Sequence, residues 1–427
     1  MKNSSSFVKN ITTLVSGTAL AQGVTFAISP ILSRLYDPEA FGFFSIYTSI
    51  IMICSVIVAL RYEQAIILSK KDEDATGVLF ISLFFTSLNT VILFIIIALF
   101  KKQIGAILGI AEYANWLWSV PLSVFALGTY QSLNYWSTRK KNFKRLSVSL
   151  LYRSIGMSLV QLVGGMAKLG AGGLIFGQII GQIIVSMSLW LQIWKDDNKI
   201  IKNATLNYEK LRSLAIEFKE FPLFSAPQGL LNSLSKNVPP FFLAFYFGPG
   251  VVGQYALALK LLQMPIELIG NSIFQVFYPK VTEAYNNSKN IYNLYRKMLI
   301  YLSLFTIIPS VIIILYGTDL FSFILGEEWH VAGEYAKWLV LQLFITFINK
   351  PTIAIIRIVR WQRLHLILEL ISLILSIGVL IIGGIYSSPL TTIMYYSLIT
   401  VILQLVLLIA IILKSKLLST ITELKSH

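Results

Sequence analysis

The sequence is poor in the residues on which most soluble chemistry depends. It has one cysteine, Cys54, placed inside an apolar run, which excludes a disulfide framework. Its three histidines, His330, His365 and His427, stand far apart without ligand spacing, so no metal site is expected. Charged residues make up only 13 % of the 427 residues, where a soluble domain carries about 25 %. No Walker loop, zinc signature or Ser/His/Asp arrangement is present, and no connector is long enough to form a soluble catalytic domain. Neither an enzyme nor a cofactor is expected. The N-terminus has weak charge and no short apolar core before a small-residue cleavage site, so no secretory leader is expected.

What the chain has in excess is apolar length. Hydrophobic residues reach 56 % and the mean hydropathy is +0.73, in long and closely spaced stretches. A helix crosses a bilayer with about 20 apolar residues. On that ruler the pattern predicts an all-α polytopic membrane protein with twelve spans, at 12–35, 41–62, 76–100, 114–137, 147–169, 172–194, 223–247, 252–278, 295–317, 334–357, 364–386 and 389–413. The most polar connector, 195–222, divides an N-terminal six-helix lobe (1–194) from a C-terminal one (223–413), with a tail at 414–427. Within the connector, Tyr208–Lys219 is expected to form a short surface helix.

The formal charge of +15 invites a nucleic-acid partner, but the basic residues lie between the spans and are read as topology signals instead. With the N-terminus inside, 26 of the 35 Lys and Arg fall in cytoplasmic stretches and 5 on the outer side. That asymmetry predicts both termini in the cytoplasm. Six spans per half bring both halves in from the same side, so the repeat is expected to be parallel.

The halves also echo each other locally. Pro38 to Gly42 and Pro249 to Gly253 are both Pro-x-x-x-Gly turns, 211 residues apart. Matching Gly/Pro-interrupted segments in the two halves point to where a transporter holds its substrate. The first and seventh spans are therefore expected to bend at Pro30 and at Pro239-Pro240 and to face a pathway.

Charge at membrane depth is the other signal. Lys236 lies near the middle of the seventh span, between Asn232 and Asn237; Lys260 and Glu267 lie in the eighth, Arg153 in the fifth, Lys350 in the tenth and Glu369 in the eleventh. Arg34 and Arg61 end the first two spans. A charge at the bilayer centre costs about 2.5–3.5 kcal/mol on insertion scales, so such residues normally face a cavity or a partner. Candidate substrate-binding residues are thus Arg34, Arg61, Arg153, Lys236, Lys260 and Lys350, and Glu267 is the candidate for ion coupling. Blander roles stand beside these: snorkelling for Arg61, Arg153 and Glu369, and a private Lys260–Glu267 pair seven residues apart on one helix face. Cations outnumber anions in this set, which favours an anionic ligand. Gln22, Gln161, Gln178, Gln182, Gln228 and Asn271 supply uncharged donors suited to sugar hydroxyls, or equally to bonds between helices. Gly173, Gly177 and Gly181 read as a packing ridge, and Trp116, Trp118, Trp329 and Trp338 as an interfacial aromatic belt.

Five blocks carry a family resemblance: Leu32-Ser33-Arg34-Leu35-Tyr36-Asp37-Pro38 with Phe41-Gly42; Arg61-Tyr62-Glu63 leading into Ala65-Ile66-Ile67-Leu68; Asn134-Tyr135-Trp136 with Arg139; Phe277-Tyr278-Pro279-Lys280; and Gly326-Glu327-Glu328-Trp329 with Ala332-Gly333 and Tyr335-Ala336. In this order the chain resembles the polysaccharide-export flippases, the Wzx type of O-antigen and capsule repeat-unit transporter, in the multidrug/oligosaccharidyl-lipid/polysaccharide (MOP) superfamily. The resemblance implies two pseudo-symmetric six-helix lobes around a central cavity, as in MATE transporters. It implies a cargo of undecaprenyl-pyrophosphate-linked oligosaccharide turned across the bacterial cytoplasmic membrane by a monomeric unit, working beside a polymerase and glycosyltransferases. Cationic cavity residues would then hold the pyrophosphate or acidic sugars. A drug/cation antiporter of the same superfamily, a lipid II flippase and a membrane polysaccharide polymerase or ligase are the alternatives.

Overall fold

A computed structural model describes the backbone of residues 2–287, 290–359 and 361–426. Among the described residues there is no strand. The helices are α1 (Lys2–Leu35), α2 (Pro38–Ile57), α3 (Tyr62–Ala65), α4 (Asp72–Ile107), α5 (Val120–Arg139), α6 (Phe143–Met166), α7 (Ala171–Asn203), α8 (Tyr208–Glu217), α9 (Ala226–Asn237), α10 (Pro239–Phe247), α11 (Pro249–Asn286), α12 (Ile291–Leu325), α13 (His330–Ile348), α14 (Lys350–Ile358), α15 (Gln362–Tyr386) and α16 (Pro389–Ser426).

Nine stretches of helix among the described residues are long and apolar enough to cross a bilayer. The three remaining sequence-predicted spans fall on α5, on α9 with α10, and on α11. These helices are present but polar: α5 ends in Gln131, Asn134 and Arg139, α9 holds Asn232, Lys236 and Asn237, and α11 holds Lys260 and Glu267. The chain is an all-α, multi-pass membrane protein. The short surface helix expected in the connector is α8.

The chain divides into two compact units, 1–253 and 254–427. The broken helix at 221–247 thus packs with the first unit, on α2. In that unit, Asp37 caps α2 by accepting from the Ala40 amide at 2.7 Å, with Pro38 preset at the first helical position. The Tyr36 hydroxyl donates to the Gln161 carbonyl at 2.5 Å and fastens the end of α1 to α6. The glycine ridge of α7 lies along α6: a Cβ on Gly177 would overlap Gln161, and one on Gly181 would come 2.8 Å from the Met157 Cβ. Buried hydroxyl pairs add further ties, Tyr47 to Ser123 at 2.8 Å and Ser82 to Ser132 at 2.6 Å.

The two Pro-x-x-x-Gly turns meet. A Cβ on Gly42 would overlap the Pro249 carbonyl oxygen, and a Cβ on Gly253 would overlap the Pro38 carbonyl oxygen. Each glycine therefore receives the other turn's proline carbonyl, and the starts of α2 and α11 cross with no room for a side chain at either position.

Proline acts differently in the first and seventh spans. α1 runs as unbroken helix through Pro30, whereas α9 ends before Pro239-Pro240. Near Pro30 the Ser29 and Ser33 hydroxyls donate to the Thr25 and Pro30 carbonyls at 2.8 and 2.9 Å, and a lone proline near a helix end leaves few groups to satisfy. Tandem prolines remove two successive donors, and a π-helical turn at Phe221–Ser225 loosens the other end of α9.

In the second unit, Tyr295, Phe347, Ile355 and Ile411 lie in one core. Gln254 donates to the Glu328 carbonyl at 2.6 Å and accepts from the Ala332 amide at 2.9 Å, bracing the turn that Gly326 opens with φ 111°. That brace folds Trp329 inward until it is fully buried, so Trp329 belongs to the core and not to an interfacial belt. The side chains of Asn271, Pro279, Arg357, Arg360 and His427 lie outside the described residues.

Candidate functional site

The seam between α2 and α9 gathers polar groups that the rest of the first unit does not use. On α9, Gly229, Ser233 and Lys236 are spaced i, i+4, i+7 and share one face. That face is fixed toward α2: the Ser233 hydroxyl donates to the Met52 carbonyl at 3.2 Å, and the Asn237 amide donates back to the Ser233 carbonyl at 2.8 Å. Lys236 is exposed and has no hydrogen bond or ion pair among the described residues.

Past the end of α2 the backbone turns through two consecutive left-handed residues, Leu60 at φ 51° and Arg61 at φ 63°. Neither is glycine, and such residues cost about 1–3 kcal/mol each. The surroundings hold the turn in place. Asn89 donates to the Val58 carbonyl at 2.9 Å, Tyr62 stacks on Phe85 at 5.4 Å between centroids, and the Tyr62 hydroxyl donates to the Ala215 carbonyl of α8 at 3.0 Å. Arg139 donates to the Ile66 and Ser69 carbonyls and, at 3.2 Å, to Asp72.

This turn delivers Arg61 to the seam. A Cβ on Gly229 would sit 2.6 Å from the Arg61 Nη2 and 3.0 Å from Nε, so the guanidinium lies directly against the glycine. On its other side Arg61 Nη1 approaches Glu63 Oε1 at 3.7 Å, an ion pair too long for a hydrogen bond. The Arg61 Nε and the Glu63 Oε2 are both buried without a hydrogen-bond partner. The Glu63 side chain is only 2 % exposed, and that burial pushes its carboxyl up to about 6 against the pull of Arg61. The arrangement is a cation only partly neutralised, with donors to spare.

The other sequence-predicted residues are distributed as follows. Arg34 is exposed at the end of α1. Arg153 on α6 is half-buried, without hydrogen bond or ion pair among the described residues, and within electrostatic reach of Tyr130 on α5. In the second unit Lys260 is half-buried and makes no pair with Glu267, which is exposed and accepts from Gln263 at 2.7 Å. The Lys350 stem lies over Gly270, beside a polar network in which Tyr295 and Thr352 are 2.7 Å apart and Asn349 donates to Gln404 at 2.7 Å. The structure thus brings Arg61 and Lys236 to one seam. Of the amides, Gln161 bonds the Leu174 carbonyl at 3.2 Å between α6 and α7, while Gln228 is exposed. Two residues of the seam, Glu63 and Gly229, were not among the sequence candidates. The adjacency of Glu63 to Arg61 was the available signal for one, and a glycine inside a helix, unfavourable by about 1 kcal/mol, for the other.

The family blocks are largely devices of packing. Asp37 caps, Trp136 donates to Asp197 at 3.0 Å, Arg139 clamps the 66–72 loop, and Trp329 is core. Residues 31–334, which contain the first four blocks and the fifth as far as Gly333, match the family model described as polysaccharide biosynthesis protein. The chain belongs to this family. Among its relatives, the succinoglycan biosynthesis transport protein ExoT of Rhizobium meliloti is 21 % identical over 64 % of this chain, and the match spans only about half of that protein (53 %). The capsular polysaccharide biosynthesis protein CapF of Staphylococcus aureus is 25 % identical over 75 % of this chain and 78 % of its own length. Similar solved folds include an inward-facing MATE multidrug transporter of the MOP superfamily (TM-score 0.72, 15 % identity, 93 % of this chain and 95 % of that one). The lipid II flippase MurJ is alike to the same degree (TM-score 0.72, 18 % identity, 95 % and 90 %). This member of the polysaccharide biosynthesis family therefore shares the fold of these MATE and MurJ structures.

Proposed function

We propose that this family member is a flippase that carries undecaprenyl-pyrophosphate-linked oligosaccharide repeat units from the inner to the outer leaflet of the bacterial cytoplasmic membrane, for surface polysaccharide assembly. The observation that carries this reading is charge left open inside a membrane protein. Arg153, Lys236 and Lys260 have no acidic partner among the described residues, and Arg61 has only a long one. Each such charge would be expensive at membrane depth without a ligand or water. An anionic headgroup fits them, whereas a cationic drug would want the opposite sign. The names of CapF and ExoT, and MurJ's action on a lipid, support a lipid-linked saccharide as cargo. On this reading both termini are cytoplasmic, the lobes divide at 195–222, and the unit works as a monomer beside polymerase and glycosyltransferases. Arg34, Arg61, Arg153, Lys236, Lys260 and Lys350 attract the pyrophosphate, and Glu267 is the coupling carboxylate.

A polar oligosaccharide cannot cross hydrocarbon unaided, because its hydrogen bonds to water would go unreplaced. A wet interior supplies those bonds while the isoprenoid tail stays in lipid. Deleting the gene should make undecaprenyl-linked repeat units accumulate facing the cytoplasm, read by lipid extraction and lectin labelling of inside-out vesicles. Accumulation of unpolymerised units on the outer face would instead indicate a polymerase or ligase. Lys236→Ala should keep protein levels and lower export, with Lys236→Arg milder because the charge remains. Normal export by Lys236→Glu would remove the charge from the mechanism.

A further inference from the structure

Gly229 sits in a helix interior, where glycine is normally unfavourable, and a packing role alone does not explain what it touches. Its missing side chain leaves room for two neighbours: Val56 Cγ1, 3.0 Å from an added Cβ, and the Arg61 guanidinium, with Nη2 at 2.6 Å and Nε at 3.0 Å. The tighter contact is to the tip of a long, flexible side chain. A methyl group at 229 would therefore displace the guanidinium more readily than it would part the helices.

The displaced group would have been in a particular place. Arg61 is anchored from behind by the left-handed turn, by Tyr62 on Ala215 and by the Arg139 clamp, so its backbone is not free to follow. Lys236 is on the same face of α9, seven residues and about 10 Å along the axis. Helical side chains lean toward the N-terminus, which takes the Lys236 stem back toward the level of Gly229. The seam thus offers a planar fork with an unpartnered Nε and, two turns further along the same face of α9, a lysine with no partner among the described residues. A fork and a point charge spaced along one helix face suit a ligand with two adjacent phosphates better than one with a single phosphate.

We infer that Gly229 is a positioning residue for diphosphate recognition: by lacking a side chain it holds the Arg61 guanidinium in the α2–α9 seam, where Arg61 and Lys236 grip a lipid pyrophosphate together. This rests on the reading of the cargo as lipid-linked pyrophosphate. Because α9 is bounded by the π-helical turn and by Pro239, it is the segment best able to carry Gly229 toward and away from Arg61.

The test uses the full chain in lipid nanodiscs, with undecaprenyl pyrophosphate and undecaprenyl monophosphate as probes and native mass spectrometry as the readout. Wild type should prefer the pyrophosphate. Gly229→Ala should weaken pyrophosphate binding about 10-fold, a loss of roughly 1.4 kcal/mol, with little effect on monophosphate. Arg61→Gln should give a similar loss, and Gly229→Ala added to it should change binding less than 2-fold. In an Arg61→Lys background, which lacks the fork, Gly229→Ala should again be nearly neutral. Wild-type affinity in Gly229→Ala, or the same 10-fold loss in every background, would make Gly229 a packing residue only and overturn the assignment. If wild type does not distinguish the two lipids, the cargo reading itself falls and the assignment with it.

Discussion

Two arginines of the first unit, Arg145 and Arg61, sit close to carboxylates and are used in opposite ways. Arg145 is 2 % exposed and bonds Asp197 and Asp196, each at 2.9 Å, while Trp136 completes Asp197 at 3.0 Å. Its neighbours Arg139 and Lys140 share Asp72 at 3.2 and 2.7 Å. Arg61 has one carboxylate at 3.7 Å, too long for a hydrogen bond, and a glycine under its tip. The first is bound to a carboxylate through both terminal nitrogens and tied in from α5, α6 and α7, although its Nε, like that of Arg61, is buried without a partner. The second is held only by its backbone, and its charge is available. Charge and burial alone do not separate a structural arginine from a working one; the count of filled hydrogen-bonding positions does.

The contrast can be broken most sharply at Arg145. Arg145→Ala would leave Asp197 buried beside Trp136 without its cation, and removing one partner of a buried pair costs about 3–5 kcal/mol. The protein should then melt well below wild type in detergent and accumulate poorly, whereas Arg61→Ala should melt near wild type. Equal melting of the two variants would erase the distinction.

A smaller effect is expected at the crossing of the two turns. Gly42→Ala or Gly253→Ala places a methyl on a backbone oxygen that cannot swing away, so each should lose about 1–3 kcal/mol by overpacking. Gly229→Ala, whose added methyl meets a side-chain tip, should lose clearly less in the same thermal-shift series. The double variant at 42 and 253 should lose less than the two singles combined, since the first already parts the helices.

The finest test uses pH. Glu63 titrates near 6 in the folded chain, raised from 4.5 by burial. The folded state therefore holds this proton more tightly than the unfolded one, and stability is lost as pH rises from about 4.5 through about 6. By pH 7 the group's contribution amounts to a loss of about 2 kcal/mol relative to pH 4. Glu63→Gln should flatten that part of the stability curve, giving a higher melting temperature than wild type at pH 7.5 and little difference at pH 4.5. An unchanged slope would show that Glu63 is already ionised in the fold.

Much of this was open to inspection in the sequence. Long apolar runs gave away the helices, since a span needs about 20 such residues. The order of the five blocks gave the family. What the blocks do was hidden, because Trp329 reads as a belt residue until Gln254 is seen to fold it inward. Glu267 read as the deep carboxylate and Glu63 as part of a motif; tertiary packing reverses their burial, leaving Glu267 exposed and Glu63 covered. A run of letters records neighbours along the chain, and both outcomes were decided by neighbours across it. Pro30 and Pro239 look equivalent as letters, yet only the tandem pair ends its helix.

The crossing of the two turns has a consequence for how the protein is made. Pro38 and Gly42 leave the ribosome long before Pro249 and Gly253, 211 residues later. At about 5–20 residues per second that delay is roughly 10–40 s. Through that interval the start of α2 has no opposing backbone, however complete the six helices behind it are. The first unit closes only when residue 253 has been inserted, well beyond the connector at 195–222. A nascent chain stalled at that connector would hold an unfinished seam, with Arg61 uncovered and no Gly229 yet synthesised to receive it.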